Sequence, residues 1–354
     1  MLNEAARAKA LLAPWRAALY DFDSDQACTI LSSLCAPDFI ANIAEPWGEY
    51  RSDIAFFDAT FGALSQSWPD FERRDTIIMA GEDEMGAQWV GCAGYYLGTF
   101  TKPLFDIEPT GHVAHMRFHE FYRVEGDTLV EIQALWDLPE VMLQAGAWPL
   151  APSLGREWHI PGPAPQDGLA DRPQDQAKSK ATRQHIIDML TAMKRHPSEG
   201  GPEVMEMERF WHPKMTWYGP AGIGTGRGVA GFRNWHQIPF LQAMPDRGQY
   251  VEDITYHFFG EGDYAAVTGW PNMIQTLSHD GWLGIAPSGK RITMRSLDFW
   301  RLENGLIREN WVMVDLMDMY RQIDVDVLAR MRQFNKAKSG FDDETGHAIP
   351  AWWA

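Results

Sequence analysis

The chain has 354 residues, of which 45% are hydrophobic and 12% aromatic, and its formal net charge is −17. This composition supports two sizeable hydrophobic cores and excludes global disorder. Because a strongly acidic chain repels phosphate backbones and anionic lipid, the charge argues against nucleic acid and membrane surfaces as partners.

The N-terminal segment is predicted to form an amphipathic helix. Its apolar residues are spaced to share one helix face: Leu11, Leu12, Trp15, Leu19 and Tyr20. The segment lacks the long apolar run of a signal peptide, and no stretch of the sequence is apolar enough to cross a membrane. The cysteines, Cys28, Cys35 and Cys92, are odd in number and have no metal-ligand or redox spacing. These features predict a location in the reducing cytoplasm.

A segment near residue 120 recurs near residue 300, which indicates a duplicated domain. Shifting the chain by 178 residues aligns Ile107–Ala145 with Ile285–Ile323 without a gap, and 12 of the 39 positions are identical. A period of this length describes two whole domains of one fold. The sequence therefore predicts a first domain at residues 1–146 and a second at residues 182–330. Residues 147–181, rich in Pro, Gly, Asp and Gln, are predicted to form a linker, and residues 331–354 a tail.

The second copy is predicted to contain three helical segments followed by strands. The first helix carries an apolar stripe, the second stops before Pro213, and the third is broken at Pro239. Two strands joined by a Gly-containing turn come next, and then two long strands around an Asn304-Gly305 hairpin turn. Helices followed by an antiparallel sheet make an α+β domain. Helices on the concave side of such a sheet enclose a pocket.

Short motifs follow the same order in both copies. The second copy has Pro245-Asp246, Gly269, Pro287-Ser288-Gly289-Lys290, Asp298, Arg301, Asn304-Gly305, Glu309, Trp311, Asp315 and Gln322-Ile323. The first copy has Pro69-Asp70, Gly91, Pro109-Thr110-Gly111, Glu120, Arg123, Glu131, Asp137 and Gln144-Ala145-Gly146. This order resembles the SnoaL-like polyketide cyclase family, within the NTF2-like superfamily. The resemblance covers nearly the whole chain apart from the linker and the tail.

The resemblance implies both a fold and a chemistry. The implied fold is a tandem pair of NTF2-like cone-shaped α+β barrels, each with N-terminal helices packed on a curved antiparallel sheet. The implied chemistry is an intramolecular aldol closure that uses an aspartate as acid and base, with no metal and no cofactor. Neither copy has the family's Gly-Thr-His, since the second has Gly269-Trp270-Pro271 and the first Gly91-Cys92-Ala93. No role is therefore carried over for that histidine.

The last strand of the second copy supplies the first candidate site. Alternation places Glu309, Trp311, Met313 and Asp315 on one face. This set suits a pocket wall, and a carboxylate in an apolar cavity has a raised pKa that lets it exchange a proton near neutral pH. We therefore expect the four side chains to line the substrate pocket, with Asp315 as the catalytic base that the resemblance implies. The alternative is that Asp315 caps the helix beginning at Leu316.

The neighbouring strand and the first copy supply further candidates. Asp298 is the second candidate acid, and Arg295, on the opposite face of the same strand, is a candidate for substrate binding. Sequence does not decide which of these two faces meets the cavity, and pairing of Asp298 with a surface cation is the alternative. In the first copy, Asp137 is the third catalytic candidate, with His119 and Trp136 as binding residues.

Aromatic and histidine residues complete the candidate set. Trp217 and Tyr218 follow the short second helix and are predicted to line a pocket for a flat or hydrophobic ligand, with core packing as the alternative. His112, His115 and His119 recur at spacings that do not converge on a strand, so no metal site is predicted.

The predicted function is that of a cofactor-independent acid/base enzyme acting on a small hydrophobic carbonyl compound, of the cyclase or isomerase type. A hydrolase or dehydratase on the same fold, and a non-catalytic ligand-binding protein, stay open because this fold hosts many activities. The second copy is expected to be the more active, since it keeps the full Glu-x-Trp-x-x-x-Asp pattern. The copies are expected to pack as an intrachain pseudo-dimer, with further homo-oligomerisation open, and the terminal segment AIPAWWA to dock on an apolar surface.

Overall fold

The computed structural model describes residues 4–169, 174–250, 254–279, 282–335, 339–341 and 348–350. Two α+β domains follow one another along this part of the chain, and each combines helices with one six-stranded sheet. The duplicated architecture predicted from the repeat is thus observed. Of the helices within these ranges, none is both long and apolar enough to span a membrane.

The first domain begins with two long helices and ends with long strands. Its helices are α1 (Glu4–Tyr20), α2 (Ser24–Leu34), α3 (Asp53–Phe57), α4 (Ala63–Ser67) and α5 (Leu138–Gln144), with a π-helical turn at Asp58–Gly62. Its strands are β1 (Cys35–Ile43), β2 (Gly48–Tyr50), β3 (Glu72–Glu82), β4 (Gln88–Thr99), β5 (Val113–Glu125) and β6 (Thr128–Trp136). The sheet order is β2-β1-β6-β5-β4-β3, in which β1 and β6 run parallel and the other neighbours antiparallel.

The second domain repeats this plan with shorter strands. Its helices are α6 (Gln176–Lys194), α7 (Met207–Phe210), α8 (Gly228–Phe232), α9 (Ile238–Ala243), α10 (Leu316–Gln322) and α11 (Val327–Asn335), with a π-helical turn at Arg233–Gln237. Its strands are β7 (Trp211–Tyr218), β8 (Gly226–Arg227), β9 (His257–Glu261), β10 (Tyr264–Thr268), β11 (Met273–Thr276), β12 (Arg291–Met294), β13 (Ser296–Glu303) and β14 (Leu306–Val314). The main sheet has the order β8-β7-β14-β13-β10-β9, while β11 and β12 form a separate ribbon.

Three details of the sequence prediction change. The sheets are mixed rather than antiparallel, because β7 returns to pair with β14 in the parallel direction, as β1 does with β6. Pro213 lies inside β7. Helix α6 begins at Gln176, within the segment predicted as linker. The predicted hairpin is confirmed, since Asn304 and Gly305 turn β13 into β14 with φ angles of 52° and 79°.

The two domains pack sheet against sheet. At the centre of the shared apolar layer, Phe121 and Phe299 stack with ring centroids 5.0 Å apart. Gly91 permits this approach, because a Cβ at that position would lie 2.9 Å from the ring of Phe299. Further members of the layer come from both sheets: Ile77, Met79, Trp89, Leu135, Tyr218, Phe259, Leu297, Trp311 and Met313. One face of each sheet is therefore covered by the other domain.

Two equivalent aspartates make matching contacts across this interface. Asp137 follows β6 and accepts a hydrogen bond from the backbone N–H of Ala221 at 2.9 Å. Asp315 follows β14 and accepts one from the backbone N–H of Glu45 at 3.1 Å. Each aspartate is also the N-cap of the next helix, α5 or α10. The two domains thus use the same position reciprocally, as expected of an approximate two-fold arrangement.

The linker runs along the same interface and contacts both sheets. The hydroxyl of Tyr95 donates to the carbonyl of Ile160, and Trp311 Nε1 donates to the carbonyl of Pro161, both at 2.9 Å. The predicted tail forms part of a two-stranded ribbon, β15 (Ser339–Phe341) with β16 (Ala348–Pro350). Residues 351–354, on which the predicted docking of the tail depends, lie outside the described residues.

We expect Leu297→Ala to lower the free energy of unfolding by about 2–5 kcal/mol, because it removes a fully buried side chain from the layer between the sheets. Urea unfolding followed by circular dichroism measures the change. Leu154→Ala is the matched control, since Leu154 is 46% exposed. Equal unfolding midpoints for the two variants would show that the inter-sheet layer does not stabilise the fold.

Candidate active site

A cavity of about 90 Å³ lies on the other face of the second sheet, away from the first domain. Strands β13 and β14 supply one wall, which consists of Ser296, Asp298, Trp300, Asn310, Val312 and Val314. Helix α6, the α8–α9 segment and β7 supply the opposite walls, with Met189, Met193, His236, Gln237, Phe240 and Trp217. The lining is mostly aromatic and thioether surface around a few polar groups, which is typical of a site for a small organic ligand.

Asp298 is the carboxylate of this cavity. Its side chain accepts a hydrogen bond from the hydroxyl of Ser296 at 2.7 Å. Removal from bulk water raises the pKa of Asp298 to about 7, and the hydrogen bond and the charge of Arg247 oppose the rise only in part. An acid with this pKa is present in both protonation states near neutral pH, so it can take a proton from a ligand and return it.

His236 and Arg247 are the other ionisable side chains that line the cavity. His236 belongs to the π-helical turn Arg233–Gln237, and its ring stacks on Trp217 with centroids 4.1 Å apart. Burial lowers the pKa of His236 to about 3, so the imidazole is neutral and offers one donor and one acceptor. Burial also lowers the pKa of Arg247. The site therefore combines an acid with a raised pKa, a neutral imidazole and a cation.

The equivalent region of the first domain is filled. Glu120, which the repeat aligns with Asp298, accepts hydrogen bonds from Arg73 Nη1 at 2.6 Å, Tyr96 Oη at 2.7 Å and Trp136 Nε1 at 2.8 Å, and also from Tyr122 Oη. The side chain of Arg73 is fully buried and lies over the ring of Phe118 at 4.1 Å. Glu120 is thus committed to a buried ion pair with Arg73.

Three replacements explain why one domain is open and the other closed. Phe61 of the first domain corresponds to His236 of the second, since each is the fourth residue of its π-helical turn. The 178-residue shift aligns Phe118 with Ser296 and Trp136 with Val314. In the first domain the three aromatic rings pack around Tyr96, at centroid distances of 4.8 to 5.7 Å. Smaller or polar side chains at the same places leave space in the second domain.

A family model for SnoaL-like polyketide cyclases matches the chain twice, over residues 14–145 and 188–323. The chain belongs to this family. No curated protein sequence matches it.

Solved structures of similar fold correspond to two fifths of the chain. AclR from Streptomyces galilaeus is 22% identical, with a TM-score of 0.34, and the match covers 42% of this chain and 89% of AclR. IdmH from Streptomyces antibioticus is 19% identical, with a TM-score of 0.33, and the match covers 39% of this chain and 97% of IdmH.

The β14 side chains that the sequence analysis assigned to a pocket wall lie away from the cavity beside Asp298. Glu309, Trp311 and Met313 project from β14 toward the first domain, in the layer between the sheets or beside it. Glu309 pairs with Arg301 at 2.6 Å, and Trp311 stacks on Tyr218 at 5.5 Å. None of these three side chains lines the cavity beside Asp298. Because β14 is buried on both faces, alternation cannot distinguish the cavity face from the interface.

Asp315 and Asp137 occupy the interface and act as helix caps, which was the alternative weighed for Asp315. Burial raises the pKa of Asp315 to about 6 and that of Asp137 to about 7. Asp315 accepts a hydrogen bond from Arg295 Nη1 at 3.0 Å, and the Arg295 guanidinium lies 4.3 Å from the ring of Trp270. Neither aspartate lines the cavity beside Asp298. A raised pKa therefore does not by itself mark the site in this SnoaL-like protein.

The remaining candidates divide between cavity, interface and core. Trp217 lines the cavity with Asp298, whereas Tyr218, its neighbour on β7, faces the interface and donates a hydrogen bond to Glu309 at 3.3 Å. His119 is fully buried at the interface, where its Nδ1 lies 2.6 Å from the carbonyl oxygen of Leu297. Trp136 belongs to the filled core of the first SnoaL-like domain. Within the described ranges, no group of three His, Cys, Asp or Glu side chains is arranged to hold a metal ion.

Sequence reasoning missed His236 and Arg247. One signal for Arg247 was present, because it directly follows the Pro245-Asp246 motif. The Asp246 carboxylate accepts a hydrogen bond from the backbone N–H of Thr276 at 2.9 Å and so holds the loop at the cavity mouth. The signal for His236 exists only in comparison with the filled domain, where the matching position is Phe61.

Asp298→Asn is expected to stabilise the protein relative to wild type more at about pH 8 than at about pH 5. The pKa of Asp298 is about 7 in the folded state, whereas its ordinary pKa of 3.8 applies to the unfolded chain. Wild type therefore loses stability as the pH rises between these values, and the amide does not. Urea unfolding at both pH values measures this, with Asp188→Asn on the exposed side of α6 as control. A difference that is independent of pH would contradict the environment described for Asp298.

Ser296→Phe, which copies Phe118 of the first domain, is expected to fill the cavity and abolish binding of the neutral aromatic probe 2-naphthol. Isothermal titration calorimetry measures binding, and a retained melting temperature shows that the fold persists. Ser288→Phe, in an exposed loop, should bind the probe as wild type does. Unchanged binding by Ser296→Phe would place the ligand site elsewhere.

Proposed function

We propose that the second domain is a cofactor-independent acid/base catalyst acting on a small hydrophobic carbonyl compound, with Asp298 as the catalytic base. The observation that carries the proposal is that the Asp298 pKa is raised to about 7 by desolvation in an aromatic cavity. Family membership supports the same class of reaction. Asp298 replaces Asp315, which the sequence favoured, because Asp315 is a cap at the interface.

The chemical role of Asp298 follows from its environment. A desolvated carboxylate is a stronger base than an exposed one, and its conjugate acid near neutral pH can return the proton within the same turnover. The Ser296 hydroxyl donates to Asp298 Oδ1, which orients the carboxylate. The charge of Arg247 favours the ionised form and limits the rise of the pKa. Asp298 therefore has the properties of a base that can act near physiological pH.

The proposed reaction is an intramolecular aldol closure. The Asp298 carboxylate takes a proton from the carbon next to a carbonyl, and the C–H electron pair becomes an enolate. The enolate carbon then attacks a second carbonyl carbon of the same molecule, forming a C–C bond as the C=O π pair moves onto oxygen. The alkoxide receives the proton back from Asp298. Atoms and electrons balance without an external oxidant or reductant.

The walls of the cavity favour a flat substrate. Trp217 and Trp300 both line it, and the neutral His236 can donate or accept one hydrogen bond with a ligand oxygen. Aromatic side chains bind planar, apolar groups through offset stacking and edge contacts. A flat aromatic carbonyl compound suits this lining. The first domain has no role in the chemistry proposed, since Glu120 is held in the ion pair with Arg73.

Hydrogen–deuterium exchange tests the proposal without knowledge of the product. Wild type in D₂O is expected to catalyse deuterium incorporation next to the carbonyl of 2-tetralone, a bicyclic ketone with a fused benzene ring, as followed by mass spectrometry. The rate should rise with pH through about 7, as Asp298 loses its proton. Asp298→Asn should reduce the catalysed rate by about 100-fold or more, which is the usual contribution of general acid/base catalysis.

Asp315→Asn is the matched control, because it changes a buried aspartate of raised pKa that lies outside the cavity. Asn is also a good N-cap, so the cap of α10 is retained. This variant should keep the exchange activity. Loss of activity in Asp315→Asn but not in Asp298→Asn would transfer the catalytic role back to Asp315. Binding of 2-tetralone without exchange would indicate a ligand-binding protein instead.

A further inference from the structure

The cavity of the second domain adjoins a groove of about 280 Å³. The inner chamber and the groove share Leu190, Arg247, Met273, Ser296 and Asp298 in their linings, so Asp298 stands at their junction. The groove is further lined by Lys194, Tyr250, Tyr256 and Phe258. A ligand bound in the groove would therefore lie beside both Asp298 and these side chains.

Two cations, Lys194 and Arg247, lie in this groove. Lys194 is the last residue of α6, and its Nζ lies 5.2 Å from the ring centroid of Tyr256. Its stem passes over Gly248, where a Cβ would lie 3.1 Å from Lys194 Cγ. The Arg247 guanidinium lies 5.9 Å from the ring of Phe240. The walls around both charges are therefore largely aromatic.

Neither cation is neutralised by an ion pair with the described part of the chain. Within residues 4–169, 174–250, 254–279 and 282–335, no carboxylate lies within salt-bridge distance of Lys194 Nζ or of the Arg247 guanidinium. The adjacent carboxylate of Asp246 is used by the backbone of Thr276. Burial lowers the pKa of Lys194, and the neighbouring charge of Arg247 lowers it further.

The arrangement differs from that of other buried cations in this protein. Lys9 pairs with Glu261 at 2.7 Å, Arg73 with Glu120 at 2.6 Å, and Arg301 with Glu309 at 2.6 Å. A partly desolvated cation without a partner is costly, and two together also repel each other. Among the described residues, Asp298 is the carboxylate that lines this groove, and it interacts electrostatically with Arg247 without forming an ion pair. An anion from outside would remove both costs.

We propose that the substrate of the second domain carries a carboxylate, which Lys194 and Arg247 bind in the groove while the apolar body enters the inner chamber. This assignment deepens the proposed function and rests on it for the identity of the reacting site. The planar guanidinium of Arg247 can bind both carboxylate oxygens, and the Lys194 ammonium adds a point charge. The carboxylate end then stays at the groove, and the carbon skeleton meets Asp298 at the junction.

A matched pair of ligands tests the charge requirement. We expect 2-naphthoate to bind wild type about tenfold or more tightly than methyl 2-naphthoate, measured by isothermal titration calorimetry, because the ester has the same ring system without the charge. Lys194→Gln should remove most of this preference by weakening the acid alone, and Lys194→Arg should restore it. Lys214→Gln, at an exposed position on β7, should leave the preference unchanged.

Equal affinities of wild type for 2-naphthoate and its methyl ester would overturn the assignment. A preference that survives unchanged in Lys194→Gln would also overturn it, since the anion would then bind elsewhere. These results are independent of the exchange assay. Loss of the charge preference with exchange intact would refute the carboxylate alone, whereas binding of the acid without any Asp298-dependent exchange would refute the proposed catalysis alone.

Discussion

The packing of one sheet on the other is the constraint on which the rest of this structure depends. Phe121 and Phe299 stack at the centre of a shared apolar layer, and Gly91 lets the two rings approach. Because one face of each sheet is used for this contact, a ligand cavity can form only on the opposite face, under the helices. In the same packing, Asp137 and Asp315 cap helices and also accept hydrogen bonds from backbone N–H groups of the other domain.

The two domains use an equivalent acid in opposite ways. In the first domain, Glu120 is saturated by Arg73 and three aromatic donors, so a charge pair in a closed core fixes the packing. In the second domain, Asp298 keeps a single side-chain hydrogen bond, from Ser296, among those described, and it opens onto a cavity. A buried charge whose hydrogen bonds are all made is rigid and inert. A buried carboxylate with few hydrogen bonds has a raised pKa. The two copies thus differ in that the second has an open cavity beside its acid, whereas the acid of the first lies in a packed core.

The order of helices and strands was predictable from the sequence wherever neighbouring residues decide the local backbone conformation. The Asn304-Gly305 turn requires two residues with positive φ, so the β13–β14 hairpin could be located from the sequence. The candidates Trp217 and Asp298 lie in the lining of one cavity. The row of Glu309, Trp311 and Met313 lies on the face of β14 opposite the cavity, and a strand buried on both faces has no polar face from which the sequence could reveal this orientation.

The sequence by itself determined that the chain holds two copies of one α+β fold, since 39 positions align without a gap at a shift of 178 residues and the turn residues are readable locally. It also limited the candidate acids to a few positions on the last strands. Only the tertiary structure decided which copy is open, which strand face meets the cavity, and that His236 and Arg247 lie beside Asp298. The physical reason is that a cavity forms where the surrounding side chains do not fill the space between them. Residues far apart in the chain jointly decide whether that space is filled.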